Sequence, residues 1–293
     1  MVTFYRRLPR FDYVKPKSLQ EALNLLGNNN GQIKVYAGGT DLIPRLKGRL
    51  IPRPDLLMDL KGIPDLDYLE YDEKQGLRIG ALATIYSVAN SSIVKEKFAI
   101  LSHAANSIAS TQVQNRGTIV GNICNAVPSA DSAPTLLCLG AKLLCLSKGG
   151  ERTMGVEDFF TGPNSTSLNS DELLKEIQIA NMPEASKGVY IKLSPRKRMD
   201  LAVVGVAAVV SAEKETFKEV RIGLGAVAPT PIRAKKAEER LVGSSINEEA
   251  ILEAAKLASE ESKPIDDHRA SAEYRRMMVE VLVKRAINQA LSN

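Results

Sequence analysis

Apolar positions along this chain come in short runs broken by glycine, proline and asparagine, and their period changes along its length. Ala22, Leu23, Leu25 and Leu26 follow Ser18 and Glu21 with helical spacing, so Ser18 is the expected N-cap and Gly27 with the asparagines behind it the stop. Ile33 to Ala37 reads as a strand, and Leu42 to Leu50 leaves room for one or two helical turns before Pro52 and Pro54. Leu56 to Leu60, Tyr68 to Tyr71 and Leu77 to Ile79 read as strands joined by turns at Gly62, Pro64, Asp72 and Gly76. Thr84 is placed to cap a helix reaching Ser91, and Ile100 to Ser110 is a helix of small residues. Asp131 or Ser132 caps a further helix with Pro134 in its first turn. Lys142 to Leu146 returns as a strand, whereas Glu157 to Phe160, Gly162-Pro163 and the polar stretch after them read as loop.

From Glu172 onward strands dominate: Glu172 to Ile179, Gly188 to Leu193, Ala202 to Ser211 and Val220 to Ala226. They give way to a helix from Ala250 to Ser259, capped by Asn247, and to a long amphipathic helix from Ser271 to Leu291. This change of pattern predicts a domain boundary, with residues 1–177 (subdomains of about 1–55 and 56–177) in one domain and 178–293 in the other. A chain of 293 residues supports two cores of that size.

Composition narrows the function classes. Lysine and arginine number 39 against 34 acidic residues, and the net charge of +5 is too small and too scattered to argue for nucleic acid. The cluster Arg196-Lys197-Arg198 reads as a solvated face. Cys124, Cys138 and Cys145 lack the spacing and the number for a four-thiolate cluster or zinc site, and suit a reducing compartment. His103 and His268 are the only histidines and neither has an obvious partner, so acid–base catalysis by histidine is poorly supplied. The longest apolar run, Leu201 to Val210, is about half of a membrane span, and Met1 to Lys17 has no apolar signal core. The expected location is cytoplasmic.

Two glycine-bearing segments carry the chemistry. Ala37-Gly38-Gly39-Thr40-Asp41 follows a strand, and Gly117-Thr118-Ile119-Val120-Gly121-Asn122 precedes the Pro128-Ser129-Ala130-Asp131 stretch. Glycine lets backbone N–H groups approach an anion with no side chain in the way, and the pair points to a bound diphosphate cofactor. Each segment alone is better explained as a tight turn. No G-x-G-x-x-G opens a helix, and Gly223-x-Gly225 lacks the third glycine, so a Rossmann site is not expected.

In order and spacing these segments, with Leu77-Arg78-Ile79-Gly80-Ala81, Asn115 to Asn122, Pro128 to Pro134 and Lys192-x-x-x-Arg196-x-x-x-Asp200, make nearly the whole chain resemble the flavin-binding medium subunit of the molybdenum hydroxylases. Gly223 to Arg233 resembles the start of that family's C-terminal domain. The resemblance implies an α+β fold: a vanillyl-alcohol-oxidase-type (PCMH-type) FAD-binding domain of two α/β subdomains, then a C-terminal domain with an antiparallel sheet and helices. It implies non-covalent FAD contacted by Val35, Tyr36, Ala37, Gly38, Gly39, Thr40, Asp41 and Leu42, and from the other side by Thr118, Ile119, Val120, Gly121 and Asn122. Asp131 would take a ribose or ribityl hydroxyl, Ile108 would face the flavin ring, Leu174 would touch the cofactor, and Lys192 would lie near it as a fixed cation. Val120 stands where the family usually has glycine, and Gln114 where arginine is common.

The activity so implied is an oxidoreductase subunit that needs no catalytic acid, base or metal of its own. Electrons would come from a small 2Fe-2S subunit beside a large molybdopterin subunit, in a dimer of heterotrimers, and would leave to NAD, oxygen, a quinone or another acceptor. Two other readings are a self-contained FAD-dependent oxidase or dehydrogenase of the same fold, and a non-catalytic nucleotide-binding module.

Overall fold

A computed structural model describes residues 7–28, 32–183, 185–196 and 199–292. The first body is a small parallel sheet. Strands β1 (Asp12–Val14), β2 (Ile33–Tyr36) and β3 (Leu56–Asp59) pair in the order β1-β3-β2, with helix α1 (Leu19–Gly27) between β1 and β2 and α2 (Leu42–Gly48) between β2 and β3. Ser18 caps α1 as expected, accepting from the Glu21 N–H at 3.2 Å, and the helix buries Ala22, Leu23 and Leu26. A parallel pair needs a crossover, and α2 supplies it between β2 and β3. The turn Ala37–Asp41 therefore lies at the C-terminal end of β2, where crossover loops present backbone to ligands.

The second body holds β4 (Leu69–Asp72), β5 (Gly76–Gly80), helices α3 (Ile85–Asn90), α4 (Ser92–Lys97), α5 (Ala99–Ser107), α6 (Thr111–Gln114), α7 (Ile119–Cys124) and α8 (Ser132–Cys138), then β6 (Lys142–Ser147), β7 (Gly150–Gly155), β8 (Phe160–Gly162), β9 (Ser165–Thr166) and β10 (Leu173–Ile179). Its sheet runs β4-β5-β10-β6-β7 with antiparallel pairing throughout. Thr84 caps α3 through the Ser87 N–H, as the sequence predicts. The segment after Gly117 is a helix start, not an open turn: Thr118 accepts from the Gly121 N–H at 2.9 Å, and Ile119, Val120 and Ile123 are buried. The polar stretch expected as loop forms the hairpin β8–β9, in which Thr161 and Ser165 hydroxyls lie 2.7 Å apart. Strand β7 and the short β1 and α4 were not foreseen, because each is too short or too polar to show a period.

The third body is a four-stranded antiparallel sheet, β11 (Lys187–Leu193), β12 (Val204–Glu213), β13 (Thr216–Gly225) and β14 (Ile232–Arg233), followed by α9 (Lys235–Leu241), α10 (Glu248–Glu261) and α11 (Ala272–Ser292). Asn247 caps α10 by accepting from the Ala250 N–H at 2.8 Å. The apolar run in β12 has a simple cause. Ala207 and Val209 join the core of the second body, whereas Val204, Val206, Ala208 and Val210 join the core under α9–α11. A strand covered on both faces loses the polar alternation of a half-exposed one.

A buried cation closes this body. Arg275 on α11 is 1% exposed and donates to the carbonyls of Val203 at 2.8 Å and Ala226 at 2.9 Å, and to Asp267 Oδ1 at 2.7 Å. Arg269 meets the other Asp267 oxygen at 2.6 Å. Hydrogen bonds from Arg269, with the nearby charge of Arg275, hold the Asp267 carboxyl well below the usual range. Asp267→Asn is expected to lower the unfolding free energy at neutral pH by roughly 3 kcal/mol, since it strands a buried guanidinium. A depressed carboxyl stabilises the fold above its unfolded pKa of about 3.9, and that contribution is lost as the pH falls through the folded value. Urea titrations of both proteins should show the gap narrowing steadily below about pH 4; a gap independent of pH would refute this assignment.

Candidate cofactor site

Two close backbone approaches shape the site. At Gly38 an added Cβ would sit 2.0 Å from the Arg116 carbonyl oxygen and 2.7 Å from Gly117 Cα, so the two glycine segments of the sequence touch each other. Gly223 and Gly225 of β13 play the same part for the third body: a Cβ on them would stand 2.3 Å from the Pro134 carbonyl oxygen and 2.7 Å from Pro134 Cγ. The start of α8 thereby lies directly on the C-terminal sheet. These glycines are packing positions.

Between the three bodies lies a cavity of about 650 Å3, within the roughly 300–1,000 Å3 of small-molecule sites. Val35, Ala37, Gly38, Gly39, Thr40, Asp41 and Leu42 line it from the first body. Ile108, Thr118, Val120, Gly121, Asn122, Asp131 and Leu174 line it from the second. Among the described residues, the N–H groups of Gly38, Gly39 and Thr40 donate to no protein acceptor, which leaves donors on the wall for an anionic ligand. Val120 is an ordinary helical residue in α7, so glycine is not needed there.

Three expected residues are not on the wall. Ile119 is fully buried in the core. Tyr36 packs beneath the turn, its ring 3.6 Å from Lys61 Nζ and close against Gly39, whose φ is +72°. Lys192 stands behind the wall, where its ammonium donates to Asp131 Oδ2 at 2.8 Å and to the Ser107 carbonyl at 3.1 Å.

Asp131 is the buried charge of the site, 7% exposed. Tyr190 donates to its Oδ1 at 2.7 Å, so both carboxylate oxygens are held from β11. Burial pushes this carboxyl above its usual range against the opposing pull of Lys192 and Tyr190. Burial, then the facing carboxylate, raises the Tyr190 hydroxyl far above its usual value, so it stays protonated and donates. The expected side-chain cap on α8 is absent: Asp131 has helical backbone angles and its carboxylate turns to the C-terminal sheet.

Sequence reasoning missed several wall residues, Arg45, Met199 and Leu201 among them. Arg45 follows Asp41 by one helical turn, faces the cavity, and donates to Asn125 Oδ1 at 2.9 Å. Gln114 is buried behind Ile108, its amide donating to the carbonyls of Ile108 at 2.8 Å and Asn106 at 3.1 Å. It finishes the open C-terminal carbonyls of α5 and so orients Ile108. Met199, Asp200 and Leu201 edge the cavity from the third body. Lys197 and Arg198 of the cluster expected as a solvated face lie outside the described residues.

The wall's ionisable groups do not form a nucleophile–base pair. Glu172 is held below its usual range by hydrogen bonds from Arg152, and Asp200 by those from Arg196. Desolvation pushes the Cys124 thiol up to about 12, which makes it a small uncharged group. The donor set, an unpaired run of amides beside Arg45 with an acceptor carboxylate and apolar side chains farther along, fits a dinucleotide.

Comparison with known proteins gives the same picture over both domains. A family model described as the FAD binding domain in molybdopterin dehydrogenase matches residues 9–182, and one described as the CO dehydrogenase flavoprotein C-terminal domain matches residues 189–290. The carbon monoxide dehydrogenase medium chain of Hydrogenophaga pseudoflava is 36% identical, covering 96% of this chain and 97% of the relative. The glyceraldehyde dehydrogenase medium chain of Sulfolobus acidocaldarius is 35% identical over 96% of this chain and 98% of its own length. The xanthine dehydrogenase FAD-binding subunit of Escherichia coli O157:H7 is 33% identical over 96% of each. The solved carbon monoxide dehydrogenase of Hydrogenophaga pseudoflava superposes with a TM-score of 0.94 at 35% identity, covering 98% of this chain and 99% of that one.

The contact at Gly38 is open to a direct test. Gly38→Ala must drive a methyl group into backbone, which has little freedom to yield, so a loss of at least the roughly 1–3 kcal/mol of an overpacked core is expected. Gly149→Ala is the control, since its Cβ would meet nothing nearer than Ser147 Oγ at 3.6 Å. Equal urea midpoints for the two variants would show that the seam between the glycine segments is not tight.

Proposed function

The chain belongs to the FAD-binding subunits of the molybdenum hydroxylases, and on that premise we propose that it is the electron-transfer subunit of a heteromeric complex. It is an oxidoreductase subunit with the α+β fold of that family, a FAD-binding domain followed by a domain built on an antiparallel sheet. In the proposal it receives electrons from a small 2Fe-2S subunit, which is served by a large molybdopterin subunit, and passes them to NAD, oxygen, a quinone or another acceptor. The observation that carries this reading is the cavity between the three bodies, lined by free amides at one turn and, farther along, by Asp131, Glu172 and Asp200, each paired with a cation or hydroxyl.

FAD supplies the redox chemistry when bound, and this chain's residues supply position and field. The amides of Gly38 to Thr40 and the Arg45 guanidinium would take the diphosphate. Asp131, held by Lys192 and Tyr190, would accept a hydroxyl of the cofactor's sugar or ribityl chain. Ile108 and Leu174 would give apolar contact, the first oriented by Gln114. Neither a proton donor nor a nucleophile is asked of the protein, which favours an electron-transfer role over a self-contained oxidase. Among the described residues no helix is long and apolar enough to cross a membrane.

Three outcomes follow. The purified chain should carry one FAD that denaturation releases intact; FMN, or flavin left on the precipitate, would contradict the site. Asp131→Ala should lower flavin occupancy well below that of His103→Ala, because it leaves the Lys192 ammonium and the Tyr190 hydroxyl without their buried partner while His103 is exposed. Alone, the chain should not turn over aldehydes or purines, and adding its large and small subunits should restore substrate-dependent bleaching. Turnover by the isolated chain at about one per second or faster would replace this reading with the oxidase one.

A further inference from the structure

Strand β10 contains one residue too many. Against β6, Leu174 stands opposite Cys145 and Glu176 opposite Leu144, so Lys175 is an extra residue in a bulge. The consequence is a change of face. Ile177 pairs with Leu143 and Ile79, all three fully buried. Cys145 lies two residues from Leu143 and shares its face, and Leu174 faces Cys145. Leu174 therefore shares a face with Ile177 although they are three positions apart. In an unbroken strand an odd separation reverses the face: Leu174 would leave the face of Ile177, and Leu173, which meets the cavity from the other face, would take its place.

Both sides of the bulge are pinned by charge. On the far face Glu176, 1% exposed, accepts from Tyr68, from Arg78 Nη2 at 2.8 Å and from Gln178 at 2.5 Å. A slide of the C-terminal half by one residue would turn that carboxylate into the apolar core, away from every one of these donors. Flattening the N-terminal half instead would place Lys175 opposite Cys145, among fully buried residues, and expel Leu174. With Leu or Val at 175 the strand would alternate perfectly, apolar at 173, 175, 177 and 179. The charge of Lys175 forbids that simpler strand.

We propose that Lys175 is a positioning residue: with Glu176 as the fixed point, its charge enforces the bulge that turns Leu174 into the cofactor cavity, and so sets the affinity for FAD. The role in FAD affinity rests on the function proposed above; the change of face does not. Lys175 acts only through Leu174 and touches no cofactor itself.

The test uses the full chain. Lys175→Val should weaken FAD binding about tenfold, the value of losing one well-buried aliphatic contact, and Lys175→Arg should restore the affinity of the unaltered protein. In a Leu174→Ala background Lys175→Val should have no further effect on the FAD dissociation constant, because the group it positions is gone. A second measurement needs no flavin: maleimide labelling of Leu174→Cys in flavin-free protein should speed up at least tenfold when Lys175→Val is added. Unchanged FAD affinity in Lys175→Val, failure of Lys175→Arg to restore it, multiplicative effects in the double variant, or unchanged labelling would each overturn the proposal. Faster labelling in a protein that holds no FAD would uphold the change of face and overturn both the proposed function and the affinity role.

Discussion

The absence of a side chain at Gly38 is the constraint on which the site depends. The loop after β2 and the loop before α7 come from different bodies, and each has its own core. They meet backbone to backbone, with the Arg116 carbonyl 2.0 Å from where a Cβ would be. Any L side chain at this position would push them apart, since real Cβ atoms do not approach closer than 3.0 Å. The amides of Gly38 to Thr40 would then no longer face the start of α7. The second seam repeats the device, with Gly223 and Gly225 admitting the first turn of α8. One seam brings the donors of the cavity together, and the other brings Asp131 to Tyr190 and Lys192.

That second meeting is not a source of stability. Removing a carboxylate and an ammonium from water costs several kcal/mol each, and their attraction only roughly returns it. What the Asp131–Lys192 pair with the Tyr190 hydroxyl does is discriminate between alignments. A shift of β11 by one residue would turn Tyr190 and Lys192 to the other face of the sheet and leave Asp131 buried without donors. The same logic governs Arg275, which ties Val203 and Ala226 to α11 from inside the C-terminal body. Both charges favour the correct arrangement, because any other would leave a buried carboxylate or guanidinium without its partners. They sit where the third body must register on the second and where the edge of the cavity, residues 199–201, must be held in place.

Local signals were legible in the sequence, and contacts between distant segments were not. Ser18, Thr84 and Asn247 cap helices because a cap depends only on residues three positions on. Asp131 looked like one of them, yet a residue at a helix start obeys whichever partner is stronger, and a buried ammonium is stronger than a backbone N–H. Tyr36 directly precedes the first glycine segment but packs under it, a matter of which side of the turn faces the cavity. Arg45 was within reach of sequence reasoning through its spacing from Asp41. Met199 and Leu201 were not, since they come to the wall only when the third body docks. The β12 run was ambiguous by nature: continuous apolar sequence says that both faces are covered, not by what.

The electrostatics of the wall decide what kind of chemistry the cavity favours. A general base works best with a pKa near the working pH, which for a carboxylate means burial without a cation. Two of the wall's carboxylates are treated in the opposite way: Glu172 is matched with Arg152 and Asp200 with Arg196, and both are held as stable anions that take up protons poorly. A third, Asp41, is raised by burial against the pull of Arg45 one turn on. Asp131 is pushed upward by burial, but each of its oxygens already accepts a hydrogen bond, from Lys192 or from Tyr190. Such a wall leaves the reactivity of a bound ligand to the ligand itself. It fixes where the ligand lies and the field around it, which is what a subunit that only passes electrons requires. The same reasoning accounts for the neutral side chain at Gln114: its buried duty is to hold the carbonyls behind Ile108, and an amide does this without adding an uncompensated charge to the backbone around the cavity.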